Sequence, residues 1–378
     1  MRIGIDARMY GPSQTGIGNY TKFLIENLAL LSENSHRKIK FFIFLRKYGF
    51  NEFKEPNKNF IKVLANYSWY SFEEQIKFPF LLYKHKIDLM HFTHFNAPIF
   101  YKKPFIVTIH DLTPKFFPGP LIGKYWHRRF AYNITLKNAI KKSRYIITPS
   151  KFTKNDILKH YKINSDKIKV IYEGVDHIST NNKQITTNNA NNNIYRSLLN
   201  VNYILYLGVI RPHKNLVKLI QAFNLLNNLR AKGYKLVLAG PDNGIYPELQ
   251  KEIKKSGLER DVIITGILTE KEKIEFIFNA KLVVLPSLYE GFGLVPLEAL
   301  SLATPVAVSN IESLREILGK SAFFFNPENE KDIAEVIKQA LNNEIKQKEK
   351  LKQGALLIKK YKWSIMAKET LSLYLNKL

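Results

Sequence analysis

The sequence predicts an α/β protein made of two doubly wound parallel-sheet domains that face each other across a cleft. Three observations carry this expectation. At 378 residues the chain is long enough for about two domains of ~100–200 residues, each with its own core. Both halves repeat one rhythm, a short β-branched run that ends in a Gly- or Pro-containing turn and leads into a longer helical pattern, which implies βα units and a parallel sheet. Between the halves lies Ser179–Asn193, STNNKQITTNNANNN, a polar low-complexity stretch with nothing to bury.

Taken in order, the predicted strands of the first half are Arg2–Asp6, Ile39–Phe44, Ile61–Leu64, Leu89–Phe92, Phe105–Ile109, Tyr145–Thr148 and Ile168–Ile171. Those of the second are Tyr203–Leu207, Lys235–Ala239, Val262–Thr265, Leu282–Leu285, Pro305–Val308 and Ala322–Phe325. Most are continuous apolar runs rather than alternating ones, as befits strands covered by helices on both faces. Helical patterns occupy Tyr20–Leu31 and part of 119–145, helices begin near Asn215 and Leu294, and the patterns 330–342, 344–361 and 364–377 close the chain. The expected organisation is a first domain over 1–176, an Asn-rich linker or insertion over 177–200, a second domain over 201–361 and a C-terminal helix over 362–378. In such sheets ligands bind at the carboxyl ends of the strands.

Composition narrows the function classes. With no cysteine, a disulfide framework and a Cys-ligated metal site are excluded. The opening Met1-Arg2-Ile3-Gly4-Ile5-Asp6 meets an acid too early for a secretory leader. The longest apolar stretches, such as Phe41–Leu45 and Phe78–Tyr83, fall far short of the ~20 residues that cross a bilayer. The expected location is cytoplasmic, with any membrane contact peripheral. Residues 1–175 carry 30 Lys+Arg against 12 Asp+Glu and residues 176–378 carry 28 against 20, within a net charge of +26. Such a field attracts nucleic acid, an anionic leaflet or a phosphorylated small molecule, although a general preference for Lys at solvated positions accounts for it equally well.

Four motifs stand at predicted strand ends. Gly11-Pro-Ser-Gln-Thr-Gly16-Ile-Gly18 follows the first strand and opens a helix, where free amides and the helix dipole favour a phosphate. A dinucleotide fingerprint wants a third glycine where Thr21 stands, so a dehydrogenase is disfavoured and a plain turn stays open. His110-Asp111 follows Phe105–Ile109, a place from which a histidine reaches a substrate hydroxyl or phosphate. Gly208-Val-Ile-Arg211-Pro-His-Lys214-Asn215 sets a forked donor and a point charge at a helix start, an unfavourable position for cations unless an anion binds. The most specific motif is Pro286-Ser-Leu-Tyr289-Glu290-Gly291-Phe292-Gly293-Leu294-Val295-Pro296-Leu297-Glu298, in which a Gly-X-Gly loop exposes amides and two carboxylates can accept from the vicinal hydroxyls of a sugar or ribose.

With Thr148-Pro-Ser150-Lys-Phe, Glu173-Gly-Val-Asp176, Leu238-Ala-Gly240 and the E-x7-E element Glu290 to Glu298 added in the same order, the chain resembles the retaining nucleotide-sugar glycosyltransferases of the GT-B fold, glycosyltransferase family 4 (group 1), mannosyltransferase-like. The resemblance spans nearly the whole chain. It implies that Glu298 holds the ribose and Glu290 the transferred sugar, while the amides of Phe292, Gly293 and Leu294 beside Gly291 lie along the sugar and phosphate. Arg211 and Lys214 neutralise the departing diphosphate with help from the amides near Gly16 and Gly18, His110 contacts the sugar from the acceptor side, and the turn Gly266-Ile267-Leu268 receives the nucleobase. Arg211 matches by proximity rather than register, because Val209 and His213 stand where family members place the arginine. The resemblance also implies retention of anomeric configuration, the departing phosphate taking the acceptor's proton, and a last helix that crosses back onto the first domain, with Trp363 and Tyr374 as packing candidates.

No Asp-X-Asp triplet occurs in the chain, so catalysis by fixed cations without a metal or other cofactor is expected. The donor expectation is GDP-mannose first and a UDP-sugar second. The acceptor expectation is a glycan or lipid-linked sugar of cell-envelope polysaccharide assembly, bound by the first domain. A helix within 119–145 sets Tyr125, Trp126, Phe130, Ile134 and Leu136 among Lys124, Arg128, Arg129, Lys137, Lys141 and Lys142. That pattern suits docking on the anionic inner leaflet, and an ordinary core helix with a wet basic face fits it as well. An epimerase or phosphorylase of the same fold is the alternative. Nucleic-acid binding is not expected, because no recognition helix, stacking motif or basic tail accompanies the charge.

Overall fold

The computed structural model describes residues 1–11, 15–33, 38–69, 71–119, 125–178, 201–241 and 246–376. They form two compact units, Met1–Gly174 with Lys362–Leu378, and Val175–Tyr361. The Asn-rich stretch 179–200, the loop residues Pro12 to Gln14 and Lys124 lie outside the described residues.

The first unit is a seven-stranded parallel sheet of β1 (Arg2–Asp6), β2 (Lys40–Leu45), β3 (Phe60–Leu64), β4 (Leu89–Phe92), β5 (Phe105–Thr108), β6 (Tyr145–Thr148) and β7 (Ile168–Val170), in the order β3-β2-β1-β4-β5-β6-β7. The strand order reverses between β1 and β4, which places the ligand crevice of such a sheet beyond Asp6 and Phe92. Strand β2 is apolar throughout its buried length, and β4 and β5 are apolar except for His91 and Thr108, which bond each other, because α1 (Thr15–Glu33), α2 (Lys47–Glu52), α3 (Phe72–Lys84), α4 (Thr113–Phe116), α5 (Trp126–Lys142) and α6 (Lys151–His160) surround the sheet. Side-chain caps start two of these helices: Ser71 accepts from the Glu74 amide and Ser150 from the Thr153 amide, each worth about 1 kcal/mol. Ser150 thereby makes Thr148-Pro-Ser150 the strand-to-helix turn that its sequence suggests.

Two expectations for this unit need correcting. Helix α1 begins at Thr15 rather than Tyr20, so Gly16 and Gly18 sit on its first turn and not in a loop. Only Gly11 of the three glycines has a positive φ, +96°. Glycine weakens a helix by about 1 kcal/mol against alanine, which tertiary packing of buried Gly18, Tyr20 and Leu24 overrides. In α5, Leu136 does not join the exposed aromatics: it is buried with Tyr132, Ala139 and Ile140.

The C-terminal helix Trp363–Leu375 belongs to this first unit and packs along α1. The Trp363 ring stacks on Phe23 with centroids 4.8 Å apart, and the Tyr374 hydroxyl meets His91 Nδ1 at 2.6 Å.

The second unit is a six-stranded parallel sheet of β8 (Tyr203–Leu207), β9 (Lys235–Ala239), β10 (Val262–Gly266), β11 (Leu282–Leu285), β12 (Val306–Ser309) and β13 (Phe323–Phe325), in the order β10-β9-β8-β11-β12-β13. Its reversal falls between β8 and β11, the two strands that carry the Lys214 and Glu290 motifs. Around it run α7 (Leu216–Asn224), α8 (Asn227–Ala231), α9 (Pro247–Lys255), α10 (Glu270–Asn279), α11 (Leu294–Ser301), α12 (Glu312–Leu318), α13 (Glu330–Asn342) and α14 (Glu344–Leu357). The pattern read as one helix over 344–361 breaks after Leu357 into a 3-10 turn, Ile358–Lys360. No helix among the described residues is long and apolar enough to cross a membrane.

Candidate active site

In the second unit the sheet reversal brings the two predicted motifs together. After β8 the chain makes a 3-10 turn over Pro212–Lys214, and Asn215 turns it into α7 with φ 60°. After β11 the loop 286–293 runs to Gly293, whose φ of +94° and contact with Leu314, 2.6 Å from a would-be Cβ, leave room for glycine alone. A backbone bond from the Leu288 N–H to the His213 carbonyl, 2.9 Å, ties the two loops. The Lys214 ammonium donates to Glu290 Oε1 at 2.6 Å, and the Ser287 hydroxyl donates to the same oxygen at 2.6 Å. Arg211 stands exposed at the start of this turn, so it is a surface cation while Lys214 is a seated one. Burial and the neighbouring Lys214 pull His213 down to about 4, which keeps it neutral.

Glu298 lies on α11, almost fully buried, and is held by residues that sequence reasoning missed. Lys273 on α10 donates to its Oε1 at 2.9 Å, and His177 Nε2 lies 3.4 Å from the same atom. Burial alone would raise the carboxyl. Lys273, then His177, outweigh it and pull the carboxyl down to about 2, so Glu298 is a carboxylate at neutral pH. Lys273 also reaches Glu270 at 3.2 Å, and the capping box of Thr269 and Glu272 fixes the start of α10. The alternation Glu270-Lys-Glu-Lys273 was the available signal, but it reads equally as a solvated helix face. The turn Gly266-Ile267-Leu268 lies at the carboxyl end of β10, with Ile267 exposed.

In the first unit the amides of Gly16 and Ile17 are among the donors that the first turn of α1 leaves without intrahelical partners, while the Gly18 amide is the first to join the helix ladder. His110 follows β5, where Nδ1 lies 3.0 Å from Glu173 Oε1 and Nε2 lies 3.0 Å from the Thr93 carbonyl. The Tyr20 ring meets the imidazole edge-on at 4.8 Å. Beside it His91 is bonded between Tyr374 and Thr108, and burial holds it neutral at about 3. Beyond β1 a second group absent from the sequence reading is buried: Arg8 donates to Asp6 and Glu74, Asn96 donates to Glu74, and the guanidinium lies over the Phe78 ring. Here the Arg8 charge is fully paired, as a buried cation must be.

Comparison with known proteins accounts for both units. Residues 27–178 match the Glycosyltransferase Family 4 family and residues 188–356 match the family of glycosyl transferases group 1. The chain belongs to these glycosyltransferases. It is 28% identical over 273 residues to the O-antigen chain mannosyltransferase RfbU of Salmonella typhimurium, covering 71% of this chain and 69% of that one. A stretch of 167 residues, 43% of this chain and 20% of the relative, is 37% identical to the serotype-specific mannosyltransferase WbdA of Escherichia coli. Among solved structures, Anabaena HepE in complex with UDP-glucose superposes with a TM-score of 0.76 at 16% identity, covering all of both chains. WaaG, a glycosyltransferase involved in lipopolysaccharide biosynthesis, gives 0.73 at 14%, again over all of both chains. The fold of this glycosyltransferase is accordingly GT-B, two Rossmann-like parallel-sheet domains.

Proposed function

We propose that this glycosyltransferase transfers a hexose, mannose in the first instance, from a nucleotide-diphospho-sugar to a glycan or lipid-linked acceptor of cell-envelope polysaccharide assembly. The observation that carries the reading is the meeting of Lys214, Ser287 and Glu290 at the β8/β11 reversal, in front of the amides that open α11. A carboxylate with one oxygen seated by Lys214 and Ser287 keeps Oε2 for sugar hydroxyls. The amides of Phe292, Gly293 and Leu294 suit the phosphate, and Glu298, kept ionised, suits two ribose hydroxyls. The turn Gly266-Ile267-Leu268 is assigned to the base and His110 to the acceptor side of the sugar.

As the glycosidic bond breaks, negative charge grows on the diphosphate. Lys214 and Arg211 supply the compensating charge, with Lys214 exchanging its Glu290 partner for phosphate. In this reading no metal is required, the departing phosphate accepts the proton of the incoming hydroxyl, and configuration is retained. GDP-mannose is the first donor and a UDP-sugar the second; the mannosyltransferase relatives favour the former. Thermal-shift screening of GDP-, UDP- and ADP-sugars reads the donor through mass action. NMR of the product anomer and turnover in chelator test the rest: an inverted product removes retention, and chelator-sensitive turnover removes the fixed-cation mechanism.

The acceptor reading includes docking from the cytoplasmic side on the inner leaflet. Trp126, Phe130 and Ile134 recur every four residues along α5 and are 81%, 60% and 38% exposed. No acidic residue occurs between Asp111 and Asp156, so this stretch itself offers an anionic surface basic side chains and no carboxylate. Flotation with anionic and neutral vesicles tests this, and equal recovery on both defeats it.

A further inference from the structure

His110 is enclosed by its own unit on every side that matters for its chemistry. A carbonyl oxygen only accepts, so Nε2, 3.0 Å from the Thr93 oxygen, must carry a hydrogen. On the opposite edge Nδ1 faces Glu173 Oε1 at 3.0 Å. A proton shared between an imidazole and a carboxylate rests on the imidazole, whose ordinary pKa lies about 2 units higher. Both ring nitrogens then donate, and neither holds a lone pair that could take a proton.

The support for Glu173 is as firm as the contact. Glu173 is 4% exposed, and the next residue, Gly174, lies against the returning chain: a Cβ there would stand 2.1 Å from the Trp363 nitrogen and 2.6 Å from its ring. Trp363 is in turn stacked on Phe23 of α1, the helix whose Tyr20 packs on the imidazole. The backbone that presents Glu173 is therefore pinned to the helix that covers His110.

We infer that Glu173 is a positioning residue that holds His110 as a doubly protonated imidazolium, so that His110 serves the reaction as a fixed positive charge and not as the base that deprotonates the acceptor. This rests on the assignment of His110 to the glycosyl-transfer site. The electrostatic surroundings agree. Burial opposes the charge, but the Glu173 hydrogen bond and charge, the Thr93 carbonyl and Asp111 outweigh it and raise the pKa of His110. From β4 and the residues after it His91 and His94 face the ring, and burial keeps each neutral at about 3, with Arg8 adding to the effect on His94. From α1 comes the Tyr20 hydroxyl, which burial keeps protonated. From α6 the Thr153 hydroxyl reaches the His110 backbone, donating to its carbonyl. Glu173 is thus the carboxylate in contact with the ring.

The test is a ring-nitrogen NMR titration of the full chain between about pH 5.5 and 9.5, with His110 assigned by its loss in H110Q. The wild type should show an imidazolium with its midpoint above the ordinary ~6.5, and E173Q should lower that midpoint by about 1 to 3 units. In the same variants the high-pH limb of kcat/KM should move to lower pH in E173Q and return in E173D. A neutral ring at pH 7 in the wild type overturns the inference even if E173Q does not fold, and so does a midpoint unmoved by E173Q. A titration that behaves as stated while kcat/KM ignores it removes His110 from the glycosyl-transfer site and leaves its charge state standing.

Discussion

Lys273→Met removes one charge from beneath Glu298 while keeping an unbranched stem of similar length. The Glu298 carboxyl falls from an ordinary 4.5 to about 2 because Lys273 and His177 outweigh burial. At about 1.4 kcal/mol per unit this is roughly 3 kcal/mol of native-state stabilisation, and the near-complete burial of both side chains, 12% and 4% exposed, leaves little solvent screening to reduce it. The sign follows from the lowered value. The stabilisation is complete above about pH 4.5, where the unfolded carboxyl is also ionised, and it disappears as pH falls towards 2 and native Glu298 takes up its proton. K273M should therefore lose at least about 2–3 kcal/mol in urea unfolding at pH 7, because the burial of the carboxylate is then opposed by His177 without Lys273, and the gap to wild type should close as pH falls towards 2. E298Q combined with K273M should cost less than the two single changes together, because a neutral amide needs no cation. Equal stability of K273M and wild type at pH 7, or a gap that does not change with pH, would refute the reasoning.

Three further outcomes follow from the same geometry. Gly174→Ala forces a methyl onto the Trp363 backbone at 2.1 Å, so thermal unfolding should show a loss of at least ~2–3 kcal/mol, and a Tm within experimental error of wild type counts against that contact. Tyr374→Phe takes from buried His91 its Nδ1 partner at 2.6 Å and should cost about 1–3 kcal/mol in chemical denaturation, without changing nucleotide binding in a thermal-shift titration. Lys214→Ala should lower kcat by about 10²–10³-fold, with Glu290→Gln also impaired, when transfer is assayed with the donor that the screen selects; unchanged turnover in a folded K214A protein removes Lys214 from leaving-group stabilisation.

Much of this molecule is legible in the order of its residues. Leu89–Phe92, Tyr145–Thr148, Tyr203–Leu207, Lys235–Ala239 and Leu282–Leu285 are strands at the boundaries their apolar runs suggest, since burial on both faces demands continuous hydrophobicity and glycine, proline or polar residues end it. The same logic placed His110, Lys214 and Glu290 at strand ends and predicted a C-terminal helix. Local signals failed where long-range packing outweighed them, as at the first turn of α1, where two glycines advertise a loop and burial of the helix decides otherwise.

What only the tertiary structure decided is which polar and charged groups meet. Arg8 and Glu74 are 66 residues apart in the chain, His110 and Glu173 63, Lys214 and Glu290 76, and His91 and Tyr374 283. A residue type and a strand end announce that a charged group stands near a ligand. Its protonation state, and whether it is seated or exposed, depend on the dielectric around it and on partners that the strand order brings within hydrogen-bond distance, and no periodicity in the sequence encodes that distance.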